Sequence, residues 1–525
     1  MFHRALILLL IWICSLEQQP VLASRILFLS PFTAKSHAIF YRSLLQGLVK
    51  NNHTIRIVSY DKVLGNDYGN LVQETLFTSE IFDAFPDFLE EKRQRKEHLL
   101  GFKLHECGLV TCENFLKSPA VMQVLAEAEE NPFDVLITGT LMYECAVPFA
   151  HILSIPRILI SSASLLPWVE HAVRNPPQWS YYPNIYLPYT NRMNFKERFY
   201  NTVFSIALTL HREWVYYPKL DTLIQMYLGE DIPKMSDMDK NLSLVLVNSD
   251  PSIDYPKANQ PNVIHLGGLH IASSQSLPEN LQKFMDESGK DGVILFSMGS
   301  VLSGAGFPEE ERKIVTQAFQ SIPQRVIWKW DLDTPPVDPM PSNILLQKWL
   351  PQQAVLAHPK TKAFITHGGL GSSVEAVYHG VPIIGIPVFA DQDFNIFRAV
   401  HDGSGIHLDL NNLTTSALVD AIHKVTTDQR FQIAMRKRSR ILKDKFWDPV
   451  ELGVYYIEYV IRHQGAPHLR PTASELSWFQ LYHIDVFLVM FGLIVALLML
   501  IINILGNIKR CLFQSKRKTK KVKKG

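Results

Sequence analysis

Between Trp349 and Gln392 the chain reads WLPQQAVLAHPKTKAFITHGGLGSSVEAVYHGVPIIGIPVFADQ, which places an aromatic ring, a glycine-rich turn, two serines and several polar side chains close together. Lys362 to Thr366 is a short apolar run bounded by turn residues, the pattern of a buried parallel strand, and His367-Gly368-Gly369 is the turn that follows it. A helix is expected to open near Gly371-Ser372. Its unpaired N–H groups and the positive end of its dipole would face an anion, and the glycines would let a diphosphate approach the backbone. Ser372 and Ser373 can cap that helix or donate to phosphate oxygens. Glu375, three residues past Ser372, either accepts hydrogen bonds from the vicinal hydroxyls of a ribose or closes a capping box with Ser372. Dinucleotide-binding folds carry their ribose carboxylate about 20 residues downstream on the next strand, so NAD and FAD are set aside.

Trp349 follows the strand-like Ile344 to Gln347 and is suited to stacking on a base; the plain alternative is a core tryptophan. Val381 to Pro387 reads as a buried strand that delivers Asp391 and Gln392 at its carboxyl end, where ligands sit in open α/β sheets. That carboxylate and amide suit sugar hydroxyls, or are simply solvated in a loop. Nearer the N-terminus, Arg25 to Ser30, a helix opening at His37 and running to about Lys50, and Thr54 to Ser59 form one βαβ pattern. His37 then stands at the carboxyl edge of the first strand. An imidazole there can take a proton from an attacking hydroxyl, or be a solvated residue at a helix start.

The 349–392 segment resembles the signature of the UDP-glycosyltransferases, and the resemblance extends to Asn262 to His270 (NVIHLGGLH), Val293 to Ser300 (VILFSMGS) and the SPF…SH pattern around His37. It implies an α/β fold of the GT-B type, two Rossmann-like domains facing a cleft, in a membrane-anchored animal protein of invertebrate type. It further implies that Trp349 stacks on uracil and Gln352 lies beside the base. Ser300, His367, Gly369 and Ser372 would hold the diphosphate, Glu375 the ribose, and Asp391 and Gln392 the sugar. His37 would be the general base. Gly371-Ser372 departs from the Asn-Gly of vertebrate members, a change the resemblance accommodates because invertebrate members often carry Ser here. A sharper departure is Gly139. The family's base is usually oriented by an Asp just after the strand that is here Phe133 to Thr138, and this chain has glycine there. Glu144 is the expected substitute if the loop before it folds back; without a carboxylate, His37 is a weaker base, favouring acidic phenols or nitrogen acceptors or losing activity. The expected reaction is inverting transfer of a hexosyl group, glucose first and glucuronic acid second, from a UDP-sugar to a hydroxyl of a small lipophilic acceptor. No metal and no cofactor is implied. The alternative is a non-catalytic UDP-sugar or lipophile binder that has lost the dyad.

The elements that position these residues fit a chain of 525 residues, 47% hydrophobic and 19% charged, too long for one core. Expected boundaries are a signal peptide over 1–23, an acceptor domain over 24–240, a linker over 241–262 and a UDP-sugar domain over 263–440. A return segment over 441–485, a transmembrane helix over 486–505 and a basic tail over 506–525 complete the chain. The first apolar run is too short to span a bilayer and ends in a small-residue cleavage pattern; Val486 to Leu505 carries no charge and is long enough. Nine Lys and Arg and no acidic residue follow it, against a net charge of +2 for the whole chain, so the basicity belongs to the tail. That predicts a cytosolic tail, lumenal domains, contact with anionic lipid and no nucleic-acid partner. Lys521 to Gly525 resembles a dilysine retrieval signal of the endoplasmic reticulum. Homo- and hetero-oligomers stay open. Cys107 and Cys112 are close enough to pair, which would leave Cys145 free. Asn52, Asn241 and Asn412 begin glycosylation sequons. Phe32, Phe40, Leu165, Leu166, Trp168, Trp179, Tyr181 and Tyr182 are unranked candidates for the acceptor pocket.

Overall fold

The structure, a computed structural model, describes residues 23–65, 69–76, 80–272, 276–299 and 309–522. The expected signal peptide, Ser300 and the last residues of the dilysine signal lie outside them.

Apolar runs with little alternation form two wholly parallel sheets, as expected of strands covered on both faces. In the first, β1 (Arg25–Ser30) pairs with β2 (Thr54–Ser59) on one side and β4 (Val135–Gly139) on the other. With β3 (Leu71–Thr75), β5 (Arg157–Ser161), β6 (Leu244–Val247) and β7 (Val263–His265) the order is β3-β2-β1-β4-β5-β6-β7. The second is built from β8 (Val293–Ser297), β9 (Arg325–Lys329), β10 (Ile344–Gln347), β11 (Thr361–Thr366), β12 (Ile383–Gly385) and β13 (Gly405–His407), in the order β10-β9-β8-β11-β12-β13. Each order reverses direction between its first strand and the fourth, so a crevice opens at β1/β4 in one sheet and at β8/β11 in the other. The strand expected over Val381 to Pro387 shrinks to three residues, because Pro382 and Pro387 have no N–H for a ladder.

The helices that matter for the site are α1 (Lys35–Lys50), α2 (Leu100–Lys117), α3 (Gln352–Ala357), α4 (Leu370–His379), α5 (Gln392–His401) and α6 (Pro449–Arg462). Helix α1 buries Ala38, Tyr41, Leu44, Leu45 and Leu48, one stripe at helical spacing, and ends at Asn51. Asn52 follows at φ 65°, a conformation its short polar side chain tolerates. The chain crosses back through α6, which packs on α1 so closely that a Cβ on Gly47 would lie 2.5 Å from Val450 Cγ1 and one on Gly453 2.7 Å from Leu44 Cδ1. Both sheets belong to one compact unit that ends at Arg470, and the remainder, from Pro471, forms a second. That second unit contains α7 (Ile484–Val522), whose stretch Ile484–Phe513 is long and apolar enough to cross a membrane and extends beyond the expected 486–505.

The cysteines pair differently from expectation. Cys112 bonds Cys145 with Cα atoms 5.4 Å apart, and Cys107 is free. Cys107 and Cys112 both lie on α2, where five residues rotate the side chains about 140° apart, so they face different neighbours. Cys145, in the turn after β4, meets the Cys112 face instead. The Cys107 thiol donates to Ala84 O at 3.1 Å, and burial pushes its pKa up to about 11.

Candidate functional site

The turns after β8 and β11 meet at the crevice of the second sheet. His367 lies between glycines of both turns: a Cβ on Gly299 would lie 2.5 Å from its Cε1, and one on Gly369 2.7 Å from its Nε2. Gly299 has φ +81° as well, so both backbone conformation and space demand glycine there. Helix α4 starts at Leu370, with no side-chain cap and no acidic residue in its first turn. The capping box that would have occupied Glu375 is thus not formed, and the first N–H groups of α4 carry no competing carboxylate. Burial, with Lys329 as a lesser cause, lowers the His367 pKa to about 4. At neutral pH His367 is therefore a hydrogen-bond donor without charge. The cation here is Lys329 at the end of β9, whose Nζ donates to Gly299 O at 2.8 Å. Its pKa is lowered by burial and, more weakly, by Lys35 on α1, which brings a residue of the first sheet's helix to the same place.

Glu375, one turn along α4, is held before any ligand arrives. Gln352 Nε2 donates to its Oε2 at 2.5 Å and to Ser372 Oγ at 3.0 Å, and Gln353 Nε2 donates to its Oε1 at 2.9 Å. His270 Nε2 donates to Gly371 O at 3.2 Å and lies 3.9 Å from the same carboxylate. Three side chains, Gln352, Gln353 and His270, thus surround an acceptor of hydrogen bonds at the edge of the crevice. Trp349 is 75% exposed, which removes the core alternative and leaves its face open to a ring.

Asp391 and Gln392 begin α5. Asn395 Nδ2 donates to Asp391 Oδ2 and to Gly368 O, both at 2.9 Å, tying the carboxylate to the His367 turn. Burial raises the Asp391 pKa. Gln392 is buried, and its Oε1 accepts from Val388 N at 2.8 Å and Phe389 N at 3.1 Å, so its oxygen shapes the loop.

His37 sits in the first turn of α1, three residues before Phe40, whose ring lies 6.1 Å from that of His270. The helix that carries His37 therefore touches the cluster around Glu375. His37 is half-buried, its Nδ1 is shielded and has no hydrogen-bond partner among the described residues, and burial lowers its pKa to about 4. The expected partner does not reach it. Glu144, in a turn of 3₁₀ helix after β4, is buried on Arg212, whose Nη1 lies 2.7 Å from Oε1, while Tyr216 OH donates to Oε2 at 3.3 Å. A buried guanidinium must be paired, and this one claims the nearest carboxylates, Glu144 and, at 3.7 Å, Asp239. Of the acceptor-pocket candidates, Phe32, Leu165, Leu166 and Trp168 are core, and Trp168 Nε1 donates to Thr140 O at 2.8 Å.

Sequence reasoning did not assign Lys329, His270, Gln353, Asn395 or Tyr41. His270 stood in a quoted motif and Gln353 beside Gln352, but only tertiary packing gives them their contacts, His270 with Gly371 across 101 residues and Gln353 with Glu375 across 22.

The family described as UDP-glucoronosyl and UDP-glucosyl transferase matches residues 33–525. The chain is 32% identical over 482 residues to UDP-glycosyltransferase UGT5 of Dactylopius coccus, covering 91% of this chain and 90% of that protein. It is 30% identical over 512 residues to UDP-glucuronosyltransferase 2B33 of Macaca mulatta, covering 93% of each. Among solved structures, the glycotransferase of kitacinnamycin matches with a TM-score of 0.58 at 19% identity, covering 84% of this chain and 99% of that one. The calicheamicin glycosyltransferase CalG4 matches at 0.57 and 18%, with the same coverage. Those likenesses give the GT-B fold, and with the matched family they make the chain an enzyme that belongs to the UDP-glucuronosyl and UDP-glucosyl transferase family.

Proposed function

We propose that the protein transfers a hexosyl group, with inversion, from a UDP-sugar to the oxygen of a small lipophilic acceptor. The observation that carries this is the prearranged donor crevice: Glu375 held by Gln352 and Gln353, His367 between two glycine turns, and an exposed Trp349. Trp349 stacks on uracil with Gln352 beside it, Glu375 takes the ribose hydroxyls, and Asp391 and Gln392 take the sugar. His367, Gly369, Ser372 and the first N–H groups of α4 donate to the diphosphate, and Lys329 supplies charge. With those donors the reading needs neither metal nor cofactor. The acceptor oxygen attacks the anomeric carbon, the bond to the β-phosphate oxygen breaks, UDP leaves with the electron pair, and His37 takes the acceptor proton. Glucose is the first choice of sugar and glucuronate the second: the side chains contacting Asp391 are neutral, and Lys92, which reaches the neighbouring Asp393 at 3.0 Å, is already paired with it and with Glu97. The apolar helix and the basic tail support an endoplasmic reticulum protein with lumenal domains.

UDP release from UDP-glucose and UDP-glucuronate by microsomes containing the protein, across phenols, steroids and primary alcohols, tests this reading. Acceptor-dependent release is expected, greater with UDP-glucose, and His37→Ala is expected to bind UDP but lose transfer to alcohols. UDP-sugar binding without release on any acceptor favours the second reading, a binding protein, for which the unpartnered His37 Nδ1 speaks.

A further inference from the structure

At the end of β4, a Cβ on Gly139 would lie 2.6 Å from the Tyr41 hydroxyl oxygen, 3.2 Å from Tyr41 Cζ and 3.4 Å from Ser30 Oγ. No side chain fits at 139 while Tyr41 keeps its place. Tyr41 is 1% exposed, its ring lies 5.7 Å from Phe28, and its hydroxyl is hydrogen-bonded to Ser162. It stands one helical turn after His37 on α1, with ring centroids 6.4 Å apart. A neutral phenol thus fills the space that a side chain at 139 would need, one turn of α1 from the imidazole. Glu144 is committed to Arg212, and burial alone sets the His37 titration, with no charged side chain contributing among the described residues. An imidazolium formed at His37 would have no counter-charge.

We infer that Tyr41 and Gly139 act as a pair that keeps a carboxylate off His37, and that this makes the centre selective for phenols acidic enough to ionise near neutral pH. The inference rests on the transferase reading above. A phenolate attacks the anomeric carbon and UDP leaves with the electron pair, so no proton moves. An alcohol must instead place its proton on His37 unaided; removing the carboxylate from a serine-protease triad costs about 10⁴ in rate, which sets the scale of the handicap. Tyr41 is a positioning residue.

The test is kcat/KM of the full-length protein in microsomes for a series of para-substituted phenols of falling pKa and for benzyl alcohol. Rates are expected to rise steeply with acceptor acidity, with benzyl alcohol on the order of 10³-fold or more below 4-nitrophenol. His37→Ala should cost more on benzyl alcohol than on 4-nitrophenol, because a general base contributes about 10²–10⁴ only where a proton must move. The double variant Tyr41→Leu/Gly139→Asp, which makes room for the carboxylate, should raise benzyl alcohol transfer and flatten the dependence on acidity, a change that mere repacking would not produce. A wild-type rate independent of acceptor acidity overturns this inference alone; no transfer to any acceptor from either sugar overturns it together with the transferase reading.

Discussion

Glu144 shows what residue-level reasoning from spacing misses. Its distance from Gly139 along the chain suits a substitute acid, but the carboxylate goes where a buried cation needs it. Arg212 is held by Glu144 and Asp239, and Asp239 also accepts from Tyr143 and Tyr217, each at 2.7 Å. Burial would raise the Asp239 pKa, but Arg157 and Arg212 outweigh it and hold the group ionised, below the usual carboxylate range. Removing one partner of such a pair costs about 3–5 kcal/mol. Glu144→Ala is therefore expected to lower stability by that amount in denaturant titration. Glu144→Gln, where it folds, should keep transfer within a few-fold, whereas a dyad acid would lose about 10⁴. Trp349, by contrast, is expected to act through affinity. Stacking of a base on an aromatic ring contributes about 1–3 kcal/mol, so Trp349→Ala should weaken UDP binding roughly 5- to 150-fold in calorimetric titration while leaving the unfolding midpoint in place.

At the scale of elements, most of the scaffold was legible. Thr54–Ser59 and Ile344–Gln347 have the bounds the apolar pattern predicts, because a covered parallel strand is a continuous apolar run with turn residues at its ends. What the pattern does not reveal is which element a residue faces. The Cys112–Cys145 bond joins α2 to the turn after β4 across 33 residues, a pairing that depends on where α2 docks. The seam between α1 and α6 is likewise a tertiary fact, since nothing local marks Gly47 and Gly453 as contact points. Overpacking a close seam costs about 1–3 kcal/mol. Gly453→Val, which adds a branched side chain against Leu44 and Leu266, should lower the melting temperature accordingly.

At the scale of the molecule, several histidines, His105 buried and the others half-buried, are held neutral. His37, His367 and His379 are lowered to about 4 and His105 and His171 to about 3, in each case chiefly by burial. Unfolded, each takes up a proton near pH 6.5, while the folded chain refuses it until far lower pH. Their contribution is complete above pH 6.5 and is lost progressively toward pH 4, so the denaturation midpoint should fall between pH 7 and pH 4.5. An unchanged midpoint would show that these rings are hydrated in solution. The two halves meet at Lys92–Asp393, 3.0 Å apart, and at Phe88–Phe389, whose rings stack with centroids at 4.1 Å. The sequence by itself determined the parallel strands, the long apolar C-terminal helix and the glycine-rich turn after β11, because strand periodicity, helix length and turn chemistry are local properties encoded in contiguous residues. Tertiary structure alone decided the disulfide, the fate of Glu144 and the surroundings of His37. Those depend on which buried charges must be neutralised and which volumes are already filled, and Tyr41 fills the one beside Gly139.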